Sequence, residues 1–91
     1  MEKRLQAIVR RLPYRDKEIE RLAKDDGTFF GICEDYADAE AALGHWNAAL
    51  PNATAQSRKT EYTTLVEELA IEIEHLLDAA ARTAKPGNQG T

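Results

Sequence analysis

The chain has 91 residues, a net charge of −4 and one cysteine. This length allows one domain with a thin core, and a lone cysteine excludes an intramolecular disulfide. With 43% hydrophobic and 31% charged residues, and few glycines or prolines, the composition favours an all-α protein. No apolar run approaches the roughly 20 residues that span a bilayer, and the N-terminus lacks the apolar core of a secretory signal. We therefore expect a cytoplasmic protein without membrane contacts.

The charge is divided unevenly along the chain. Residues 1–24 carry eight basic and four acidic side chains, whereas residues 25–91 carry four basic and twelve acidic ones. The net charges of the two parts are therefore +4 and −8, and opposite charges favour docking of one part on the other. We expect the basic segment to lie across the acidic remainder of the chain.

The first 24 residues indicate two short helices separated by Pro13. In the first of them, apolar side chains recur at helical spacing among the basic ones: Leu5, Ile8, Val9 and Leu12. Proline lacks the amide donor of a helix interior but suits a helix start, so a second short helix is expected after it. Residues 25–27 read Asp-Asp-Gly and interrupt that helix, and Asp26 or Thr28 can cap the next one.

A seven-residue pattern of apolar side chains occurs twice and indicates two long helices. The first stripe comprises Ile32, Tyr36, Ala39, Leu43, Trp46 and Leu50, and the second comprises Tyr62, Val66, Leu69, Ile73, Leu76 and Ala80. The helices are predicted over residues 28–50 and 57–83, separated by Pro51 and a polar loop. The pattern predicts a long antiparallel helical hairpin on which the short N-terminal helical segment packs. Residues 1–84 would form this single domain, and residues 85–91 a disordered tail.

The first long helix has a second apolar face, made mostly of small residues. Its members are Phe30, Cys33, Ala37, Ala41, Gly44 and Ala48. Small residues let another helix approach closely, and a helix that is apolar on two sides packs against two neighbours. One neighbour is the last helix, and the other is either the N-terminal segment or a second copy of the protein. Ile71 projects away from the stripe of its own helix and is a further candidate contact.

Patterns for catalysis or metal binding are weak. Glu72 and His75 have the E-x-x-H spacing of carboxylate di-metal sites, but the other histidine, His45, has alanine instead of glutamate three residues before it. The two residues after Cys33 are acidic, which disfavours the thiolate that nucleophilic catalysis needs. The acidic residues within 34–40 lack the spacing of a calcium loop. We therefore expect a protein that is not an enzyme and that binds no metal, no cofactor and no small-molecule substrate.

An ordered set of residues leads from the basic segment into the first long helix. It consists of Arg21-Leu22-Ala23-Lys24, the acidic pair Asp25-Asp26, then Phe29, Ile32-Cys33 and Tyr36. Over about residues 20–50 this order resembles the YdcH-like family of small bacterial proteins, and weaker similarity continues over residues 61–77. The longer basic segment and the alanine-rich stretch from 37 to 49 differ from the family pattern. The resemblance implies a short helical hairpin, a bacterial origin and no active site.

The favoured functional interpretation is a non-enzymatic module that binds proteins through helix–helix contacts, as a homodimer or as a small adaptor for another protein. The small-residue face and Ile71 would carry this contact. The alternative is a nucleic-acid-associated regulator whose basic segment contacts a polyanion through Arg4, Arg10, Arg11, Arg15 and Lys17. The negative charge of the whole chain opposes that alternative, since it would repel phosphates.

Overall fold

The computed structural model describes residues 2–84, and over this range the chain contains helices and no strand. The predicted all-α class is therefore confirmed. The α-helices of these residues are α1 (Gln6–Arg11), α2 (Asp16–Asp25), α3 (Gly27–Ala48) and α4 (Ala53–Ala84). Short 3-10 turns, Lys3–Leu5 and Pro13–Arg15, precede α1 and α2. The segment predicted as a tail, residues 85–91, lies outside the described residues.

Proline and capping residues explain where the first helices end and begin. Pro13 opens the 3-10 turn that leads into α2, where its fixed φ suits the start of a helix. The carboxylate of Asp26 accepts hydrogen bonds from the amides of Thr28 and Phe29, at 3.0 and 3.2 Å. These bonds satisfy two amides that lack partners within α3, so Asp26 separates α2 from α3 and caps the longer helix.

Helix α4 begins earlier than the apolar pattern predicts. The side-chain oxygen of Asn52 accepts a hydrogen bond from the amide of Ala55 at 2.8 Å, which caps the helix at its first turn. Because of this cap, α4 starts at Ala53 and not at residue 57. The polar residues expected to form a loop are instead the exposed first turn of the helix.

The core lies where residues 2–25 meet α3 and α4. Its enclosed side chains are Leu5, Ala7, Ile8, Leu12, Ile19, Phe29, Cys33, Tyr36, Ala39, Val66, Ala70, Ile73 and Leu77. Helix α3 contacts α1, α2 and α4, and α2 also contacts α4. The N-terminal segment therefore supplies five of these thirteen side chains, and it covers core residues of α3 and α4 that would otherwise be exposed.

The most buried row of α3 is turned slightly away from the predicted stripe. Phe29 and Cys33, which lie outside that stripe, are 1% and 0% exposed, whereas Ile32 is only partly buried. Leu50 is 82% exposed because α3 has already ended at Ala48. This half of α3 packs against both α4 and the N-terminal segment. The side chains that point between these two neighbours are therefore the most buried.

The molecule is elongated, with extents of 60 × 22 × 21 Å, and it has two parts along its length. Residues 2–40 and 66–84, which contain the core, are called the four-helix part. Residues 41–65, which comprise the ends of α3 and α4 and their connection, are called the two-helix part. Each helix within residues 2–84 is too short or too polar to cross a lipid bilayer.

Candidate protein-interaction surface

Four arginines of the N-terminal segment each bind a carboxylate on α3 or α4. The pairs and their N–O distances are Arg4–Glu34 (2.6 Å), Arg10–Glu40 (3.0 Å), Arg11–Glu67 (2.6 Å) and Arg15–Asp78 (2.9 Å). These four arginines are the ones predicted to contact a polyanion, and the fifth residue of that set, Lys17, is exposed on α2. Because exposed ion pairs contribute only about 0–1 kcal/mol each, they orient the segment more than they stabilise it.

Arg11 connects α1 to α4 through the most extensive of these contacts. Its two terminal nitrogens donate to both carboxylate oxygens of Glu67, at 2.9 and 2.6 Å. These hydrogen bonds lower the pKa of Glu67. Burial raises the pKa of Tyr36, whose hydroxyl lies 3.5 Å from Glu40, and the charge of the nearby Arg11 opposes that rise. The contacts of Arg11 therefore fix the N-terminal segment against both long helices.

The predicted small-residue face is divided between the two parts of the molecule. In the four-helix part, Cys33 is fully enclosed, and Phe30 and Ala37 pack against the same core. Arg4 also covers Phe30, with its guanidinium carbon 5.3 Å from the ring centroid. The members in the two-helix part are exposed: Ala41, Gly44 and Ala48. A methyl group added at Gly44 would meet no atom within 4 Å. Only this second half of the face is therefore accessible to another molecule.

Several large apolar side chains are also exposed on the surface. Leu50 is 82% exposed in the connection between α3 and α4, and Ile71 is 51% exposed on α4. Ile71 stands alone, because its neighbours one helical turn away, Glu67, Glu74 and His75, are polar. Exposed apolar side chains that occur singly are normal on proteins, so Ile71 by itself does not define a contact surface.

A cleft between α3 and α4 was not among the sites predicted from the sequence. It is lined by Asp35, Asp38, Ala39, Ala42, Tyr62, Leu65 and Leu69. Leu65 is 40% exposed, and Tyr62 and Leu69 are only partly buried. Tyr62 and Leu69 belong to the predicted stripe of α4, so the pattern assigned them to the seam with α3. The signal that could have indicated the cleft is Leu65, which widens that stripe beyond what one neighbouring helix covers.

Residues that could carry chemistry are buried or dispersed. Burial raises the pKa of the Cys33 thiol to about 12 and its side chain is 0% exposed, so this cysteine packs as a small apolar residue. Glu72 and His75 both lie exposed on α4. Over residues 2–84, the structure contains no group of three or more His, Cys, Asp or Glu side chains that could hold a metal ion.

Comparisons with protein-family models, with curated proteins and with solved structures find no match for this chain. A function is therefore inferred from the residues and contacts described above.

Proposed function

We propose that this chain is a non-enzymatic module that binds proteins through helix–helix contacts. The observation that carries the proposal is the two-helix part, where the small side chains Ala41, Gly44 and Ala48 are exposed. These side chains continue the row that residues 2–25 cover in the four-helix part. A pair of helices buries only the seam between them, and small helical domains often gain stability by associating. The exposed half of the row is the surface best suited to another helix.

The proposal includes a long antiparallel hairpin of α3 and α4, with the N-terminal segment packed on one side of it. Two findings support this arrangement. Helices α3 and α4 contact each other although residues 49–52 alone connect them, which requires the chain to reverse. Arg4 and Arg10 bind Glu34 and Glu40, and each pair is separated by 30 residues, so α1 runs parallel to α3. A relationship to the YdcH-like proteins and a cytoplasmic location belong to the same proposal.

Two forms of this function are compatible with the exposed row. In a homodimer, the rows of two copies would meet, and their small residues would allow close approach of the backbones. In an adaptor, a helix of another protein would take the place of the second copy. Both forms use Ala41, Gly44 and Ala48 in the same way, so one substitution tests the surface in either form.

The test is Ala41→Glu, which places a charge in the centre of the exposed row. For a homodimer, light scattering should give twice the chain mass for the unaltered protein and the single chain mass for Ala41→Glu, with unchanged helicity. Ala81→Glu is the matched control, because Ala81 is an exposed alanine of α4 in the four-helix part. For an adaptor, Ala41→Glu and not Ala81→Glu should abolish capture of a partner from the native host. Equal behaviour of both variants would contradict the proposal.

The contacts of the basic segment argue against the nucleic-acid alternative. Arg4, Arg10, Arg11 and Arg15 already bind carboxylates of α3 and α4, and binding a phosphate would mean breaking these pairs. The surface next to them is acidic and would repel a polyanion. Retardation of DNA or RNA that weakens steeply as salt rises would nevertheless restore this alternative.

A further inference from the structure

The α3–α4 pair has a groove on each of two sides, and the chain itself fills one of them. On the filled side, Leu5, Ile8 and Leu12 of the N-terminal segment are 2%, 0% and 5% exposed. Arginines beside these apolar residues bind Glu34 and Glu40 on α3 and Glu67 on α4. This groove therefore holds a basic amphipathic helix, with an apolar floor and acidic residues along both rims.

The cleft lined by Asp35, Asp38, Ala39, Ala42, Tyr62, Leu65 and Leu69 lies on another side of the same two helices. Consecutive residues of a helix are about 100° apart around its axis. On α3, Asp35, Ala39 and Ala42 therefore lie roughly opposite Cys33 and Ala37, which face the core that the N-terminal segment covers, and on α4, Leu65 and Leu69 lie roughly opposite Glu67. The helix that pairs with Glu34 and Glu67 therefore leaves this cleft uncovered, which agrees with the 40% exposure of Leu65.

The cleft has the same chemistry as the filled groove. Its floor is apolar, and Asp35 and Asp38 form its rim on α3. On α4, Glu68 and Glu72 follow Leu65 and Leu69 by three residues, which makes them neighbours on the helix surface. All four carboxylates belong to exposed residues, and the ion pairs found within residues 2–84 involve none of them.

We propose that this cleft binds a basic amphipathic helix of a partner protein, with apolar side chains on the floor between α3 and α4 and Lys or Arg facing the acidic rims. The cleft is separate from the row of Ala41, Gly44 and Ala48, so this proposal goes beyond the interaction function proposed above. The charge around the cleft indicates which kind of partner binds there. Residues 25–91 carry a net charge of −8, of which the basic segment offsets +4, so the uncovered rims attract a cationic helix and repel an anionic polymer.

A second copy of the chain is a poorer occupant of the cleft. Outside residues 1–24, the chain is strongly acidic, and its acidic helices would repel the rims. The basic segment could bind there only by leaving its own groove, which would expose Leu5, Ile8 and Leu12 and break the four arginine pairs.

The probe is a fluorescent synthetic helix with leucines at positions i, i+3, i+4 and i+7 and with lysines and arginines on both flanks. A second peptide keeps the leucines and carries glutamates in place of the basic residues. Anisotropy with the full chain should show binding of the basic peptide, weakening as salt rises, and no binding of the acidic one. In NMR spectra, the methyl signals of Leu65 and Leu69 should shift while that of Ile8 stays in place.

Charge reversal of one rim tests the site. Asp35→Lys combined with Asp38→Lys should weaken binding of the basic peptide about tenfold or more, because like charges then oppose each other. The charge-matched control combines Glu20→Lys with Asp25→Lys, two exposed acids of α2, and should leave the affinity unchanged. Leu65→Glu, at a position already 40% exposed, gives a second variant in case the first fails to fold, and it too should weaken binding.

Three results would overturn the proposal: no binding of the basic peptide at low salt, equal loss of binding in the rim variant and its control, or shifts at Ile8 in place of Leu65. The last result would mean that the peptide displaces the N-terminal segment. The outcomes also separate this proposal from the first one. Peptide binding that persists in Ala41→Glu supports the cleft proposal, whatever the mass of that variant in solution. A dimer that does not bind the peptide would contradict the cleft proposal alone.

Discussion

The four-helix part and the two-helix part contain the same pair of helices, yet they bury their apolar residues very differently. On α3, the stripe residue Tyr36 is 1% exposed in the first part, whereas Leu43 and Trp46 of the same stripe are only partly buried in the second. The cause of this difference is the position of residues 2–25, which pack on the four-helix part and not on the two-helix part. A heptad stripe therefore sets which side of a helix is apolar, but the number of neighbours sets how much of that side is buried.

The comparison also concerns charge. The arginines of the N-terminal segment bind Glu34, Glu40, Glu67 and Asp78, all of which lie in the four-helix part. In the two-helix part, the ion pair that the structure describes joins Arg58 to Glu61 within one turn of α4. Ion pairs between distant segments thus lie beside the core, whereas the ion pair described for the two-helix part is local.

The largest expected effect separates buried from exposed isoleucine on the same helix. Ile73→Ala removes a fully enclosed side chain from the core and should lower the free energy of unfolding by about 2–5 kcal/mol. Ile71→Ala is the matched control: this isoleucine is 51% exposed, and the change should stay within about 0.5 kcal/mol. Urea unfolding measures both. Similar losses for the two variants would show that the core is not where we place it.

A second prediction uses thiol reactivity to compare the two parts along α3. Cys33 is 0% exposed and burial raises its pKa to about 12, so a thiol reagent should modify it only after the protein unfolds. The control places a cysteine in the two-helix part, as Ala48→Cys in a Cys33→Ala background, and should react at the rate of an exposed thiol. Rapid labelling of Cys33 in the native protein would show that residues 2–25 do not close the core.

The smallest effect concerns the acid sensitivity of the Arg11–Glu67 pair. The pKa of Glu67 is lowered by Arg11, so its contribution to stability is complete above the ordinary value of 4.5 and is lost as the pH falls through the lowered value. Glu67→Gln should therefore reduce stability at neutral pH and remove part of the loss seen on acidification. Urea midpoints at several pH values measure this.

The neighbouring residue provides the control for that experiment. Glu68→Gln removes one charge at the next position, where the described residues provide no ion pair. Its urea midpoints should follow those of the unaltered protein across the same pH range. A loss as large as that of Glu67→Gln would assign the effect to the net charge of α4 and not to Arg11.

Much of the secondary structure could be predicted from local chemistry. The break at Pro13 and the cap at Asp26 depend on single residues and lie where the sequence indicates them. The start of α4 could not be predicted as well, because the sequence offers Thr54, Ser57 and Thr60 as caps, whereas the cap is Asn52, and the apolar stripe begins only later. Selecting Asn52 depends on the backbone geometry of the connection.

The surface was harder to predict than the helices. Phe30, Cys33 and Ala37 have the same spacing as Ala41, Gly44 and Ala48, so the pattern gives no reason to divide the row. The division depends on how far the N-terminal segment extends along α3, which is a property of the packed chain. The apolar cleft at Leu65 was missed for a similar reason: its residues resemble a wide seam until the positions of both helices are known.

The most direct test of the account is whether the basic segment lies on one particular side of the α3–α4 pair. In a Cys33→Ala background, cysteines replacing Arg10 and Glu40 should be joined within one chain by a short bis-maleimide, because these side chains are in contact. Cysteines replacing Arg10 and Glu72 should not be joined, because Glu72 lies on a different side of α4 from Glu67, the residue that pairs with Arg11. Efficient cross-linking of the second pair, or of neither pair, would contradict the account.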